Sequence, residues 1–253
     1  MKKLLLACAL ATTLFSCDKD KDKAGTFKGA QVQVHDGKAW TWIKMDKEGK
    51  PVQLGLTISN AALNSVPLES DGGHDHENNL ILPLHEKAIA STPFKFLFLN
   101  WNAEGHPPME VYGLAHFDIH YYMVPAAEVT QYTDEEKLDQ NPPPGYVPAT
   151  FFPGPYVPQM GKHFLDSQSP ELDPDNPQPF TQTFIYGTYG GKVTFYEPMI
   201  TLDFLKTANS FERTIPQPQK FEKAGYYPTR MKVVRTAHGT DVILEGLTYR
   251  DAS

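Results

Sequence analysis

The sequence predicts a mainly antiparallel β fold, a β-rich α+β domain with a few short helices and one long Pro-rich loop. Three observations carry that prediction. Short runs rich in Val, Ile, Phe, Tyr and Thr recur between turn signals built from Gly, Pro, Asn and Asp. No apolar pattern of helical period extends over a long stretch. Residues 116–123 sort by parity, with Phe117, Ile119, Tyr121 and Met123 alternating with His116, Asp118, His120 and Tyr122. Strand side chains alternate faces, so this segment predicts one apolar face in the core and one face lined with ionisable groups.

The elements follow in chain order. Asp36-Gly37 separates residues 31–35 from 38–45, and Glu48-Gly49-Lys50-Pro51 separates that run from 52–59, which predicts a three-stranded meander. Residues 60–65 suit a short helix, stopped by Pro67. Residues 71–77 read as a solvated polar loop, in which His74 and His76 are a weaker metal-binding pair. Residues 94–101 are aromatic with Lys95 as their one charge, as a largely buried strand should be. Residues 125–138 have helix-compatible spacing and a Thr133-x-x-Glu136 capping-box pattern.

Proline then dominates. The chain holds 22 prolines in 253 residues, about 9% against a typical ~5%, and residues 141–158 concentrate them. Proline cannot donate to a sheet ladder, so this segment is predicted to be a surface loop, and its aromatics argue that it is ordered. Residues 184–189 and 192–197 flank Gly190-Gly191 as a hairpin, and 201–206 suit one helical turn. Residues 230–236 and 241–249, around His238-Gly239, predict a closing hairpin within about 226–250.

Residues 1–16 read as a signal peptide, with Lys2 and Lys3 ahead of an apolar segment over 4–16. That segment is shorter than the ~20 residues a spanning helix requires. Leu14-Phe15-Ser16-Cys17 resembles the bacterial lipobox, in which the cysteine becomes the lipidated first residue, although Phe15 is bulkier than its usual occupant. An ordinary secretory signal with a chance cysteine is the alternative. Residues 17–27, with their alternating Asp and Lys, are then a charged tether, and 28–253 a single β-rich domain. The expected location is the bacterial cell envelope, lipid-anchored outside the cytoplasm on the periplasmic face or the cell surface.

Cys8 lies in the removable segment and Cys17 is the expected lipidation site, so the domain itself has no disulfide and no thiolate chemistry. Losing Lys2 and Lys3 takes the formal charge from −7 to −9 (−7 − 2). An acidic chain without a Lys/Arg cluster excludes nucleic acid as an expected partner.

Several blocks then fall in order: Gly49-Lys50-Pro51-x-x-x-Gly55, Ala62-Leu63-x-x-x-Pro67, Asn100-Trp101-Asn102 with Gly105-His106-x-Pro108, and His116-Phe117-Asp118-x-His120. Met160-Gly161-x-His163 and Gly187-x-Tyr189-x-Gly191 with Glu197-Pro198-Met199 complete them. Over about residues 28–205 the chain resembles an uncharacterised family of secreted bacterial proteins typified by a sigma-factor-controlled Thermus protein, the TTHB210-like family. The resemblance implies a β-rich extracytoplasmic domain of unassigned activity and admits a homo-oligomer. It supplies no catalytic residues.

Site chemistry is therefore argued from side chains. His106, Glu110, His116, Asp118, His120, His163 and Glu197 offer the imidazole and carboxylate donors of zinc, manganese or iron sites. In a regular strand, residues i and i+4 stand about 13 Å apart, so His116 and His120 cannot share an ion, whereas an i, i+2 pair at about 7 Å can. The expected site pairs His116 with Asp118, or Asp118 with His120, completed by His163 and by His106 or Glu197. The alternative is a hydrogen-bonded polar network in which Asp118 orients an imidazole and no metal binds. No G-x-S-x-G elbow, phosphate loop or C-x-x-C pair is present, and His85-Glu86 begins an H-E-x-x-H motif without completing it. Trp40, Trp42, Phe96, Phe98 and Trp101 are expected in the core.

Two functions remain. One is a tethered binding or assembly module that holds an unidentified small ligand or one divalent metal ion such as zinc, or packs with copies of itself. The other is a metal-dependent, hydrolase-like enzyme using His116, Asp118, His120 and His163, with Glu197 or Glu110 as base.

Overall fold

The computed structural model describes residues 23–69 and 78–253. The signal segment, Cys17 and the loop with His74 and His76 lie outside the described residues. In chain order the elements are β1 (Gly25–Lys28), β2 (Val32–Val34), β3 (Gly37–Met45), β4 (Pro51–Ser59), α1 (Asn60–Ser65), β5 (Asn79–Pro83), α2 (Glu86–Ser91), β6 (Phe96–Asn102), α3 (Met109–Tyr112) and β7 (His116–Tyr122). There follow α4 (Ala126–Val129), α5 (Glu135–Asp139), β8 (Phe151–Val157), β9 (Gly161–Asp166), β10 (Gln182–Tyr189), β11 (Lys192–Thr201), α6 (Leu202–Thr207), β12 (Ser210–Thr214), β13 (Gly225–Tyr227), β14 (Arg230–Arg235), β15 (Gly239–Glu245) and β16 (Thr248–Arg250). The fold is mainly antiparallel β with short helices, as expected. No helix among the described residues is long and apolar enough to cross a membrane.

Two sheets of seven strands carry the domain. The first runs β1-β3-β4-β15-β14-β12 with β2 also on β3, the second runs β5-β6-β7-β11-β10-β9-β8, and β13 pairs with β16 separately. One hydrophobic cluster joins the two sheets, with Ile43, Leu54, Leu56 and Val242 from the first and Leu97, Leu99, Phe117, Ile119 and Tyr121 from the second. The odd-numbered residues of β7 therefore face the shared core, as their parity predicts. Its even-numbered face is not wet, however: every residue of β7 is buried. Two further apolar clusters lie over that outer face, one with Tyr122, Tyr132, Leu138 and Phe195, the other with Tyr112, Leu165, Phe180 and Met199.

Four local expectations need correction. Residues 125–138 form two short helices rather than one, and the second is capped by Asp134, which accepts from the Lys137 N–H at 3.2 Å, not by Thr133. The Pro-rich segment is a loop only to about residue 150, because Phe151–Val157 forms β8. That strand sits at the sheet edge with β9 as its neighbour, and its pairing shifts between Pro153 and Tyr156, so prolines there break no second ladder. The closing hairpin ends at Glu245, where Gly246 at φ 66° turns the chain and β16 leaves to pair with β13. Trp40 is only half-buried on the outer face of the first sheet, with the Lys28 ammonium 5.6 Å above its ring. Strand β1 begins at Gly25.

Candidate metal centre

Cross-strand register gathers the polar side chains of the second sheet's outer face. On β6 and β7, Asn102 lies opposite His116 and Asn100 opposite Asp118. On β7 and β11, Asp118 lies opposite Met199, and the same register carried along the strand sets Glu197 opposite His120. His163 on β9 pairs with Gly187 on β10. A Cβ at Gly187 would meet the Phe195 ring at 2.0 Å, so only glycine leaves room for that ring. Phe195 in turn packs beside His120 and His163, with centroids 5.1 and 5.3 Å away. His106 comes from the loop between β6 and α3 and meets His116 edge-on at 4.7 Å.

The donors form two sets, His106, His116 and Asp118, and His120, His163 and Glu197, each with ligand atoms within 4.8 Å of one another. In the first, His116 Nε2 is 3.1 Å from Asp118 Oδ1 and His106 Nε2 is 3.5 Å from Asp118 Oδ2. In the second, His120 Nε2 is 3.5 Å from Glu197 Oε1 and His163 Nε2 is 3.6 Å from Glu197 Oε2. Two donors bound tetrahedrally to one zinc at 2.0–2.1 Å stand ~3.3 Å apart, and these separations bracket that value.

Backbone carbonyls determine which imidazole nitrogens carry protons. The Nδ1 atoms of His116, His106 and His163 lie 2.6, 3.0 and 3.2 Å from the carbonyl oxygens of Leu114, Pro107 and Pro155. A carbonyl only accepts, so each Nδ1 donates, and in a neutral ring Nε2 is left as a bare lone pair aimed at a carboxylate. Lone pair facing lone pair requires a proton or a cation between them. His116 Nε2, Asp118 Oδ1, His120 Nε2 and Glu197 Oε2 are all buried without a hydrogen-bond partner. An Nδ1–H held by a backbone carbonyl with Nε2 directed inward is also how metal-ligating histidines are oriented. Asn102 Nδ2 donates to Asp118 Oδ2 at 2.7 Å and fixes that carboxylate.

Electrostatics separate the two sets. Burial pushes the His120 and His163 pKa values down to about 3 and about 4. Burial, then the nearby Asp118 charge, pushes Glu197 well above the usual carboxylate range. With both imidazoles neutral, the second set holds at most one carboxyl proton, which can serve one imidazole lone pair and not two. In the first set, burial would raise Asp118, but His116 and His106 outweigh it and hold the carboxyl far below its ordinary value. Burial works against charge on His106, and the Asp118 carboxylate overcomes it and raises that imidazole. A proton on His106 can therefore fill part of the first set, whereas in the second neither ring nitrogen of His120 has a hydrogen-bond partner and both imidazole–carboxyl separations are long for hydrogen bonds.

A cavity of about 360 Å³ opens onto both sets, with His106 and Asp118 from one and His163 and Glu197 from the other in its wall. Pro107, Val157, Met160, Leu165, Ile185 and Met199 make most of the rest apolar.

The structure revises the expected grouping. His116 pairs with Asp118, but the pair is completed by His106 and not by His163. His120 pairs with Glu197 rather than Asp118, and His163 joins that second set. His116 and His120 do fall in different sets, as strand spacing requires. Glu110 is exposed on α3 and belongs to neither. His85 caps α2, its Nδ1 accepting from the Lys87 N–H at 3.2 Å. Sequence reasoning passed over Asn102 as a carboxylate partner and Tyr112 as a cavity wall; the alternation Asn100-Trp101-Asn102 was the available signal for the first.

Residues 46–101 match the TTHB210-like family, described as hypothetical protein TTHB210. The match takes in the blocks from Gly49 to Trp101, and those from Asn102 onward fall beyond it. No curated protein and no solved structure matches the chain.

Proposed function

We propose that this chain is a metal-binding protein of the bacterial envelope, lipid-anchored through Cys17, whose two sets of two histidines and one carboxylate each hold a divalent cation such as zinc at the floor of an apolar cavity. One observation carries the reading. In the His120, His163 and Glu197 set, two imidazole Nε2 atoms face one buried carboxyl at 3.5 and 3.6 Å, long for hydrogen bonds, and a single cation between them would satisfy all three donors at once. The expected single ion thereby becomes two. The leader and the charged tether support the anchored location, and the acidic charge supports the absence of nucleic acid as a partner.

The test is metal analysis of untagged protein together with variants. Two equivalents of metal are expected in the parent, with His163→Ala losing the ion of the second set and His116→Ala that of the first. An ion present at 100 times its dissociation constant adds about 2.7 kcal/mol to the folded state, so chelator should lower the melting temperature measurably. A parent that takes up no metal, and whose melting curve ignores both chelator and zinc, would return both sets to a plain polar network.

The three-donor stoichiometry favours a second reading. Each ion would keep an open coordination position, as catalytic zinc sites with two histidines and a glutamate do, so a metal-dependent hydrolase remains the alternative. It ranks second because Asp118 and Glu197, the two carboxylates in the cavity wall, are both consumed as ligands. No carboxylate is left there as the separate base.

A further inference from the structure

We propose that the cavity takes a small amphiphile with an oxyanion head and an apolar body, such as a short or medium-chain monocarboxylate, its head on the ions and its body against the methionine-lined wall. The proposal rests on the metal reading above and names the ligand class of the same site. Charge comes first. Two divalent ions balanced by Asp118 and Glu197, with neutral imidazoles, leave a formal surplus of two positive charges (+4 − 2) in a pocket whose remaining wall is apolar apart from Asn100, Asn102 and Tyr112. In such a low-dielectric setting an uncompensated charge is costly, and an anion that completes the open coordination positions removes the cost.

Tyr112 supplies an independent second observation. Its side chain is 2% exposed and lines the cavity, and its hydroxyl has no hydrogen-bond partner. The ring is held by His106 on one side, centroids 6.0 Å apart, and by an edge-on contact with Phe180 at 5.0 Å. A buried O–H with nothing to donate to, on a ring in the cavity wall, is an unspent donor that an oxyanion reaching it would satisfy. Other parts of the wall have the complementary character. Met160, Leu165, Ile185 and Met199 offer carbon and sulfur surface and no donor, so a second polar group on the ligand would be stranded there. A cavity of this volume lies at the small end of ligand sites and admits one compact molecule.

The experiment uses the full chain carrying Cys17→Ala, so that no attached lipid competes for the cavity. Its metal content is measured first, and sodium octanoate, sodium acetate and 1-octanol are then titrated calorimetrically into zinc-loaded and chelator-treated protein. Octanoate should bind the zinc-loaded form at least tenfold more tightly than acetate, which lacks the body, or octanol, which lacks the charge. It should lose binding when the metal is removed. Tyr112→Phe should weaken octanoate roughly tenfold or more, the value of a hydrogen bond to a charged group, without changing metal content. Zinc-loaded protein that ignores octanoate overturns the proposal while leaving metal binding intact. So do equal affinities for acetate and octanoate, equal binding by metal-free protein, or a Tyr112→Phe variant that binds as the parent does. Failure to load zinc at all overturns the metal reading itself, and this proposal with it.

Discussion

At His163 the proton balance can be read out directly. Its folded pKa of about 4 lies below the ordinary 6.5 because burial disfavours the imidazolium. Between those values the unfolded chain holds a proton that the folded chain lacks, so this residue's contribution is present near neutrality and is lost as pH falls. Replacing it by a side chain that does not titrate, His163→Gln, should flatten the acid limb of the stability profile by up to about 1.4 kcal/mol per pH unit below pH ~6. Denaturant unfolding of chelator-treated parent and variant at pH 7 and pH 5 measures this, and identical slopes would mean that His163 is charged in the folded protein. Glu197 runs the other way. Its raised pKa makes it hold a proton that the unfolded chain has released, so its contribution is present at low pH and declines as pH rises toward the folded value. Wherever Glu197 holds its proton, a cation entering the second set must displace it, so metal affinity there should rise with pH toward the carboxyl's folded value. The donor types were legible in the sequence, since parity alone puts His116, Asp118 and His120 on one face. Their grouping was not, because which carboxylate each imidazole meets depends on the register with β11 and on a loop that brings His106 across from β6.

Among the elements, legibility tracked how local the deciding interaction is. The β10–β11 hairpin around Gly190-Gly191, the short helices α1 and α6, and the β3–β4 pairing all follow from turn and capping residues within a few positions, and all are present. Edge status is not local. Whether a Pro-rich strand such as β8 is tolerated depends on how many neighbours it has, which adjacent residues do not encode. Burial of the outer face of β7 is likewise set by segments far away in sequence, Leu138, Leu165 and Phe180 among them. Gly187 shows how tightly that layer is packed. Gly187→Ala would drive a methyl group into the fully buried Phe195 ring, which cannot swing away without displacing His120 or His163. Overpacking of this kind costs about 1–3 kcal/mol. The variant should therefore lower the unfolding midpoint and weaken the ion held by His120, His163 and Glu197, while the His106, His116 and Asp118 set keeps its metal. Parent-like stability together with full metal content would show that the ring is not seated on Gly187.

At the scale of the whole molecule, the place where the proposed anchor would attach is separate from the candidate site. The described chain enters at β1, at the end of the first sheet, whereas both donor sets and the cavity belong to the outer face of the second sheet, across the shared core. No disulfide contributes to the domain, since Cys8 and Cys17 are the only cysteines and both precede β1. The charge-alternating residues ahead of β1 have the composition of a solvated tether. The proposed lipid on Cys17 should accordingly act on location and not on fold. Cys17→Ala expressed in a bacterial host should move the protein from the membrane fraction to the soluble fraction, with an unchanged melting temperature and unchanged metal content. Retention of the variant in the membrane fraction would sink the anchor, and a lowered melting temperature on release would mean that the leader region packs on the domain instead of tethering it.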